Sequence, residues 1–392
     1  MTPHRLEVAD VFRQHGQEFL ERWEPVLSPQ QRKAFRDISA CRTAALGTQV
    51  QQCDHCGHQE IAYRSCRNRN CPKCHSRTRD EWLRDRATEI LPVPYCHIVF
   101  TLPRELAPLA LQNQRVVYGI LFRAAAESLL EMAADPKRLG ARIGFLAVLH
   151  TWTQRLEHHP HIHCVVPAGG LSPDGQRWIP APNQKFFLPV KPLSRLFRGK
   201  FLAYLREAFT ENRLEFFGQV RELAHPARFS DFVAALYLAE WVVYCKPAFG
   251  GPRQVLQYLA RYTHRVAISN GRLLGLDHGQ VRFRWRDSQD HNQMKEMSLD
   301  AVEFIRRFLL HVLPSGFVKI RHFGFLSNRN RKRTVQHCRE LLPPLAEESV
   351  VIEPQQPLCP VCRIGHLQVI DWGHRPTALQ APHHVVAALD SS

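Results

Sequence analysis

The sequence of 392 residues is long enough for about two or three domains with a large apolar core. Its net charge of +16 and pI of about 9.6 favour a polyanionic partner, most simply nucleic acid. No run of about 18 apolar residues occurs, and residues 1–10 lack the apolar region of a signal peptide, so neither a membrane span nor secretion is expected.

The 12 cysteines include three Cys-x-x-Cys pairs, which in a long chain of this kind indicate metal binding in a reducing cytoplasm rather than disulfides. Two pairs, Cys53/Cys56 and Cys71/Cys74, are separated by 14 residues. We predict that these four thiolates hold one tetrahedral zinc ion. Spare donors nearby are Cys41, Cys66, His55, His58 and His75. They could bind a second ion, but packed or solvated side chains are the favoured interpretation.

Several arginines surround these cysteines, and we predict that Arg67 and Arg69 contact DNA phosphates. A solvated basic face is the alternative. The third pair, Cys359/Cys362, is half of a zinc ribbon whose other half is not evident. Weak candidates for the ligands of that other half are Cys338, His337, His366 and His374.

The periodicity of apolar residues predicts a sequence of helices and strands between these cysteines. Helices are expected over residues 6–46, 109–132, 189–217, 229–245 and 302–313, with a strand at 95–101. A turn at Asn270-Gly271 is expected to join two strands. The alternating arginines of residues 281–286 predict a half-exposed strand that could face DNA.

Residues 143–152 and the apolar run 164–166 predict two strands of an antiparallel hairpin. His161 and His163 would share one strand face, because alternate residues point the same way. Two imidazoles at that spacing can bind one metal ion, and the hairpin would bring His150 or Gln154 close to them. Packed or solvated histidines are the alternative. The His-x-His-x-Asp-His pattern of metallo-hydrolases is absent.

A helix is predicted to begin at residues 250–252 and to carry Tyr258 and Tyr262. Four residues apart, they would project from one helix face about one turn from each other. Arg261 and Arg265 beside them favour contact with DNA over simple packing of the rings. No phosphate-binding loop of the Gly-x-x-x-x-Gly-Lys-Ser/Thr type occurs.

Together these segments resemble the two-tyrosine rolling-circle transposases of the insertion-sequence-91 family, whose nuclease is of the HUH class. The matching segments run in the family's order over about residues 40 to 335. They are Ser-Cys-Arg-Asn-Arg-Asn-Cys-Pro-Lys-Cys at 65–74, His-Ile-Val-Phe-Thr-Leu-Pro at 97–103, His-Thr-Trp-Thr-Gln at 150–154, His-Pro-His-Ile-His at 159–163, Tyr-Leu-Ala-Arg-Tyr-Thr-His-Arg at 258–265 and Ile-Arg-His-Phe-Gly-Phe-Leu-Ser-Asn at 320–328.

The resemblance implies an α+β fold in which helices flank a catalytic antiparallel sheet, with a zinc-binding module before it. It also implies that His161 and His163 bind the catalytic Mg²⁺ or Mn²⁺ and that Tyr258 and Tyr262 are the nucleophiles. The third metal ligand stays open among Gln154, His150 and His97. The expected domains are 1–92 (helical start and zinc-binding module), 93–335 (catalytic domain) and 336–392 (tail with the third cysteine pair).

The activity that the resemblance implies is nicking and joining of single-stranded DNA through a 5′-phosphotyrosine, by a bacterial enzyme associated with the nucleoid while it acts. One alternative is a plasmid or phage replication initiator, or a relaxase, with the same chemistry. Another is a zinc-containing DNA-binding protein without nuclease activity. The sequence leaves open the target site, the native metal and the oligomeric state.

Overall fold

A computed structural model describes residues 5–74, 82–83, 85–182, 187–249, 254–255, 266–287, 290–343 and 358–371. Its helices are α1 (Val8–Trp23), α2 (Pro29–Ser39), α3 (Ala107–Gln112), α4 (Gln114–Ala134), α5 (Val190–Thr210), α6 (Pro226–Leu238), α7 (Ala301–Leu309) and α8 (Arg331–Glu340). Its strands are β1 (Thr48–Cys53), β2 (Gln59–Tyr63), β3 (Tyr95–Thr101), β4 (Gly144–Trp152), β5 (His158–Pro167), β6 (Gly169–Leu171), β7 (Trp178–Pro180), β8 (Val243–Phe249), β9 (Leu273–Asp277), β10 (Gln280–Asp287), β11 (Gln293–Asp300), β12 (Ile320–Gly324) and β13 (Leu367–Asp371).

Five strands form the central sheet in the order β12-β4-β5-β3-β8, and every neighbouring pair is antiparallel. Alternation of side chains gives this sheet two different faces. Ile98, Phe145 and Ile162 lie on one face, in the large apolar cluster that also contains the inner sides of α4 and α5. The predicted α+β class, with helices flanking an antiparallel sheet, is confirmed.

The opposite face is apolar at one end and carries histidines at the other. Leu146, Val148 and Val165 belong to an apolar cluster that also contains Val255 and residues of α8. His150, His161 and His163 continue the same face, because they alternate with core residues along β4 and β5. The histidines therefore lie at the border of a packed surface.

The N-terminal helices pack on a second sheet, β11-β10-β9, and on α7. Phe12 of α1 is at their centre, with its ring centroid 5.5 Å from that of Phe35 and 5.4 Å from that of Phe308. Val281 and Phe283 of β10 are buried in the same cluster. This packing joins the start of the chain to residues about 300 positions later.

A third sheet, β13-β1-β2, is built from both ends of the chain. β1 pairs with β2 as a local hairpin and with β13 in antiparallel register, with Cys53 opposite Leu367. The segment expected to be a tail thus continues the sheet of the N-terminal module.

Two predicted elements are wrong in part. The helix expected over 229–245 ends at Leu238, and β8 follows, because its valine and aromatic residues pair with β3. Asn270-Gly271 begins a 3-10 turn and does not join a hairpin. The turn of the hairpin between β9 and β10 is His278-Gly279, where φ angles of 50° and 73° suit the twist of the two strands.

No helix among the described residues is both long and apolar enough to cross a membrane.

Gly324 ends β12 with φ of 60°, and a Cβ there would lie 1.9 Å from the carbonyl oxygen of Ile143. Gly316 has φ of 67° but open space around it. We expect Gly324→Ala to lower the free energy of unfolding by at least about 3 kcal/mol, because the backbone contact must break. Gly316→Ala should cost only about 1 kcal/mol of backbone strain. Denaturant titration of both variants is the measurement, and equal losses would contradict the prediction.

Candidate active site

The β4–β5 hairpin brings three histidines together. His150 lies directly opposite His161, and Val148 lies opposite His163. One ring nitrogen from each histidine lies within 4.8 Å of those of the other two. These atoms are close enough to bind a single metal ion.

Hydrogen bonds orient two of these rings. His161 Nδ1 lies 2.7 Å from the carbonyl oxygen of His159. Because a carbonyl can only accept, Nδ1 carries the hydrogen and Nε2 of the neutral ring is left with a lone pair. His163 Nδ1 lies 2.8 Å from Nε2 of His97, so Nε2 is the His163 nitrogen that could serve as a metal ligand. A second group that holds the non-ligating nitrogen is usual for metal-binding histidines.

His97 stacks behind His163, with ring centroids 5.0 Å apart, and it is buried. Burial, Lys246 and His161 lower the pKa of His97 to about 3, so its ring is neutral at physiological pH. A neutral His97 can accept the hydrogen of His163 Nδ1. The geometry therefore favours a supporting role for His97 over a ligand role.

Of the two histidines among the candidates for the third ligand position, His150 is the one that joins the cluster. Its ring is 2% exposed and stacks on Trp152 at 4.7 Å. The centroid of the His163 ring is 4.5 Å away. Gln154 lies in the turn after β4, where its backbone carbonyl oxygen accepts from Arg272 Nη2.

Behind the hairpin lies a buried polar network that the sequence did not reveal. Tyr118 and His158 are joined by a hydrogen bond of 2.7 Å. His311 contacts the Thr151 hydroxyl and the Leu156 carbonyl oxygen, each at 3.2 Å. Burial lowers the pKa of His158 to about 4 and that of His311 to about 3, so both rings are neutral and serve packing.

Tyr258, Tyr262, Arg261 and Arg265 lie outside the described residues.

The cysteines form two clusters, and this corrects the predicted single site. Cys71 and Cys74 lie with Cys41 and Cys66, not with Cys53 and Cys56. Cys41 Sγ is 3.5 Å from Cys74 Sγ and 3.7 Å from Cys71 Sγ, and Cys66 Sγ is 3.6 Å from Cys74 Sγ. Two donors treated as spare in the sequence therefore complete this site.

The first cluster fits one zinc ion. With Zn–S bonds of about 2.3 Å, neighbouring sulfurs of a regular tetrahedron are roughly 3.8 Å apart. The observed separations are close to this value. Hydrogen bonds from the thiols of Cys66 and Cys71 lower the pKa of Cys41 to about 7, and the same contacts raise the pKa of Cys66 and Cys71. A bound cation would favour the thiolate form of all four.

Comparison with known proteins agrees with a zinc site in the N-terminal part of the chain. A family model described as "Transposase zinc-binding domain" matches residues 11–102, and one described as "Putative transposase" matches residues 144–334. The "Putative transposase y4qJ" of Sinorhizobium fredii is 55% identical over 336 residues, which are 86% of this chain and 84% of that protein.

The chain belongs to the insertion-sequence-91 family of transposases. The "Transposase for insertion sequence element IS801" of Pseudomonas savastanoi pv. phaseolicola is a further relative. It is 30% identical over 321 residues, which are 80% of this chain and 73% of that protein. No solved structure matches. The predicted family is thus confirmed, and the first cysteine cluster lies within the matched zinc-binding domain.

The two arginines of this transposase that were predicted to contact phosphates near the cysteines, Arg67 and Arg69, differ in their surroundings. Arg69 donates to the carbonyl oxygens of Leu313, Pro314 and Phe317 at 3.0–3.1 Å, so its guanidinium is used to hold that loop. This geometry argues against the predicted phosphate contact. Arg67 is exposed, with φ of 53°, and its phosphate contact stays a prediction.

The first cluster makes a direct prediction. Cys41→Ser or Cys66→Ser should remove one zinc ion per chain as completely as Cys71→Ser does, because each supplies one of four ligands. Cys96→Ser is the control, since Cys96 belongs to neither cluster. Zinc content of the purified variants is the measurement. Full zinc retention in Cys41→Ser would contradict this ligand set.

Proposed function

We propose that this transposase nicks and joins single-stranded DNA through a 5′-phosphotyrosine, with the histidine cluster as the metal centre and Tyr258 and Tyr262 as nucleophiles. The observation that carries the proposal is the convergence of His150, His161 and His163, with one ring nitrogen of each within 4.8 Å of those of the other two. A bound Mg²⁺ or Mn²⁺ would supply polarisation of the scissile phosphate.

The tyrosine oxygen attacks the phosphorus, and the bond to the 3′ oxygen of the preceding nucleotide breaks. The products are a 5′-phosphotyrosine and a free 3′-hydroxyl. A 3′-hydroxyl attacks this ester in the joining step and releases the tyrosine. Because one phosphodiester replaces another, joining needs no nucleotide cofactor, which agrees with the lack of a phosphate-binding loop in the sequence.

Chain length supports the assignment of the tyrosines. Val255 is buried in the apolar cluster that also contains Val148, the residue opposite His163. Tyr258 follows three residues later, so its Cα is within roughly 11 Å of that of Val255 in any conformation. Val266 lines a cavity together with Trp152, the ring on which His150 stacks. Tyr262 precedes Val266 by four residues, which limits the distance between their Cα atoms to roughly 14 Å.

The basic surface supports DNA as the partner. Arg282, Arg284 and Arg286 are exposed on one side of β10, while Val281 and Phe283 are buried on the other. Arg282 lies 3.6 Å from Asp277 and Arg284 lies 3.8 Å from Glu296, and such exposed ion pairs are weak. Phosphates can therefore replace these partners.

We assign the reaction to the bacterial nucleoid, in the cytoplasm.

We expect His150→Ala, His161→Ala and His163→Ala each to lower cleavage of single-stranded element ends by on the order of 100-fold or more. DNA binding should stay close to that of the unmodified protein, because the histidines act on the phosphate and not on site recognition. Cleavage and binding of the same oligonucleotides are to be measured with Mn²⁺. His225→Ala is the control, because His225 is exposed and its side chain makes no capping bond. Wild-type cleavage by His161→Ala would disprove this metal site.

Single Tyr258→Phe and Tyr262→Phe variants should each retain some covalent DNA attachment, whereas the double variant should form none. Phe keeps the ring and its packing but removes the attacking oxygen. Both single variants should fail in complete transposition, because strand transfer needs a second nucleophile while the first is esterified. Peptide mapping of the adduct decides the outcome. Attachment at a third residue would reject the mechanism, and attachment at one tyrosine alone would reduce it to a one-tyrosine scheme.

A further inference from the structure

We propose that Cys53, Cys56, Cys359 and Cys362 bind a second zinc ion, which fastens the C-terminal segment of the chain to its N-terminal module. The second cluster contains all four sulfurs within 4.8 Å of one another. Cys53 Sγ lies 3.7 Å from Cys362 Sγ, and Cys56 Sγ lies 3.7 Å from Cys359 Sγ. These separations again match the roughly 3.8 Å expected around one tetrahedral zinc ion.

The two cysteine pairs have the same local geometry. The residue after each second cysteine is left-handed, with φ of 73° at Gly57 and 57° at Arg363. Backbone amides point at the sulfurs: Cys56 N lies 3.5 Å from Cys53 Sγ, and Gly365 N lies 3.4 Å from Cys362 Sγ. Amides in this arrangement stabilise negative charge on sulfur. Each pair therefore forms a turn whose backbone favours thiolates that can bind a cation.

Close packing locks the two turns together. A Cβ at Gly365 would lie 2.7 Å from Cys53 Sγ and 2.5 Å from Asp54 Oδ1, so only glycine fits there. Asp54 accepts from the amide of His366 at 2.7 Å, and its own amide donates to the carbonyl oxygen of His366 at 3.1 Å. The contact is thus specific, although the two turns are about 300 residues apart in the chain.

The sheet that carries this cluster has almost no core of its own. Cys53 is the one buried residue of β1, and neither β2 nor β13 has any. Apolar side chains such as Ile61 and Ile370 are 70% and 50% exposed. Three short strands without a buried face are unstable in water unless another interaction holds them. A structural zinc ion supplies that interaction, because its binding energy is coupled to folding.

Zinc is the metal that best fits four sulfur donors around one centre. An iron–sulfur cluster, with several irons and bridging sulfides, would need cysteine Sγ atoms that are farther apart than these. A disulfide would need a separation of about 2.05 Å, which none of these pairs has. The chain would then hold two zinc ions, one in each cysteine cluster.

Zinc content of the full-length protein tests the proposal without reference to DNA cleavage. We expect two zinc ions per chain in the unmodified protein and one in Cys359→Ser/Cys362→Ser. Cys53→Ser/Cys56→Ser should also hold one, and the quadruple variant should hold one rather than none, since all four residues share the same ion. Cys245→Ser is the matched control and should hold two. One zinc in the unmodified protein, iron in its place, or two zinc ions in Cys359→Ser/Cys362→Ser would overturn the proposal.

Alkylation of the unmodified protein gives a second test that does not depend on the folding of a variant. Cys56 is exposed, so without a bound metal its thiol would be accessible to iodoacetamide. Zinc binding should protect both Cys56 and Cys362, and a chelator should make them reactive. Gly365→Ala keeps every ligand but crowds Cys53, so it should release this zinc at lower chelator concentrations. Rapid alkylation of Cys56 in the zinc-loaded protein would refute the site.

Discussion

Antiparallel pairing between β4 and β5 is the interaction on which the proposed chemistry depends. Successive residues of a strand point to opposite faces, so a slip of one residue would exchange the two faces. His161 and His163 would then enter the apolar core beside α4, and Ile162 would leave that core for the opposite face. Because both faces of these strands are packed, the hydrophobic effect strongly favours the observed register.

The turn that joins the two strands is held as firmly as the strands. Leu156 has φ of 63° and is fully buried among residues of the N-terminal helices and α7. Its carbonyl oxygen contacts the neutral His311. The strained backbone of one leucine is thus compensated by burial and by a hydrogen bond. The hairpin is anchored at its turn as well as along its strands, which fixes the positions of the three histidines.

Local periodicity was sufficient to predict much of the site. A two-residue repeat places His161 and His163 on one face, and the sequence alone contains that repeat. The approach of His150 to this pair was not local, because His150 meets His161 only through the pairing of β4 with β5, in which the two residues lie directly opposite each other. The predicted grouping of the cysteines was wrong for a stronger reason. The partners of Cys53 and Cys56 lie about 300 residues later in the chain, and motif spacing cannot detect ligands that are so far apart in sequence.

The first zinc cluster is connected to the histidine hairpin through Arg69. This residue lies between two of the cluster's cysteines, and its guanidinium holds the carbonyl oxygens of the 313–317 loop. That loop leads into β12, which pairs with β4 along residues 144–148. Loss of zinc would free Arg69 and loosen the strand next to the one that carries His150. Four soft thiolate donors suit a structural ion in the first cluster, whereas the three imidazoles of the proposed metal centre would leave coordination positions open for a phosphate. A structural metal can in this way stabilise the geometry of a catalytic one without contact between them.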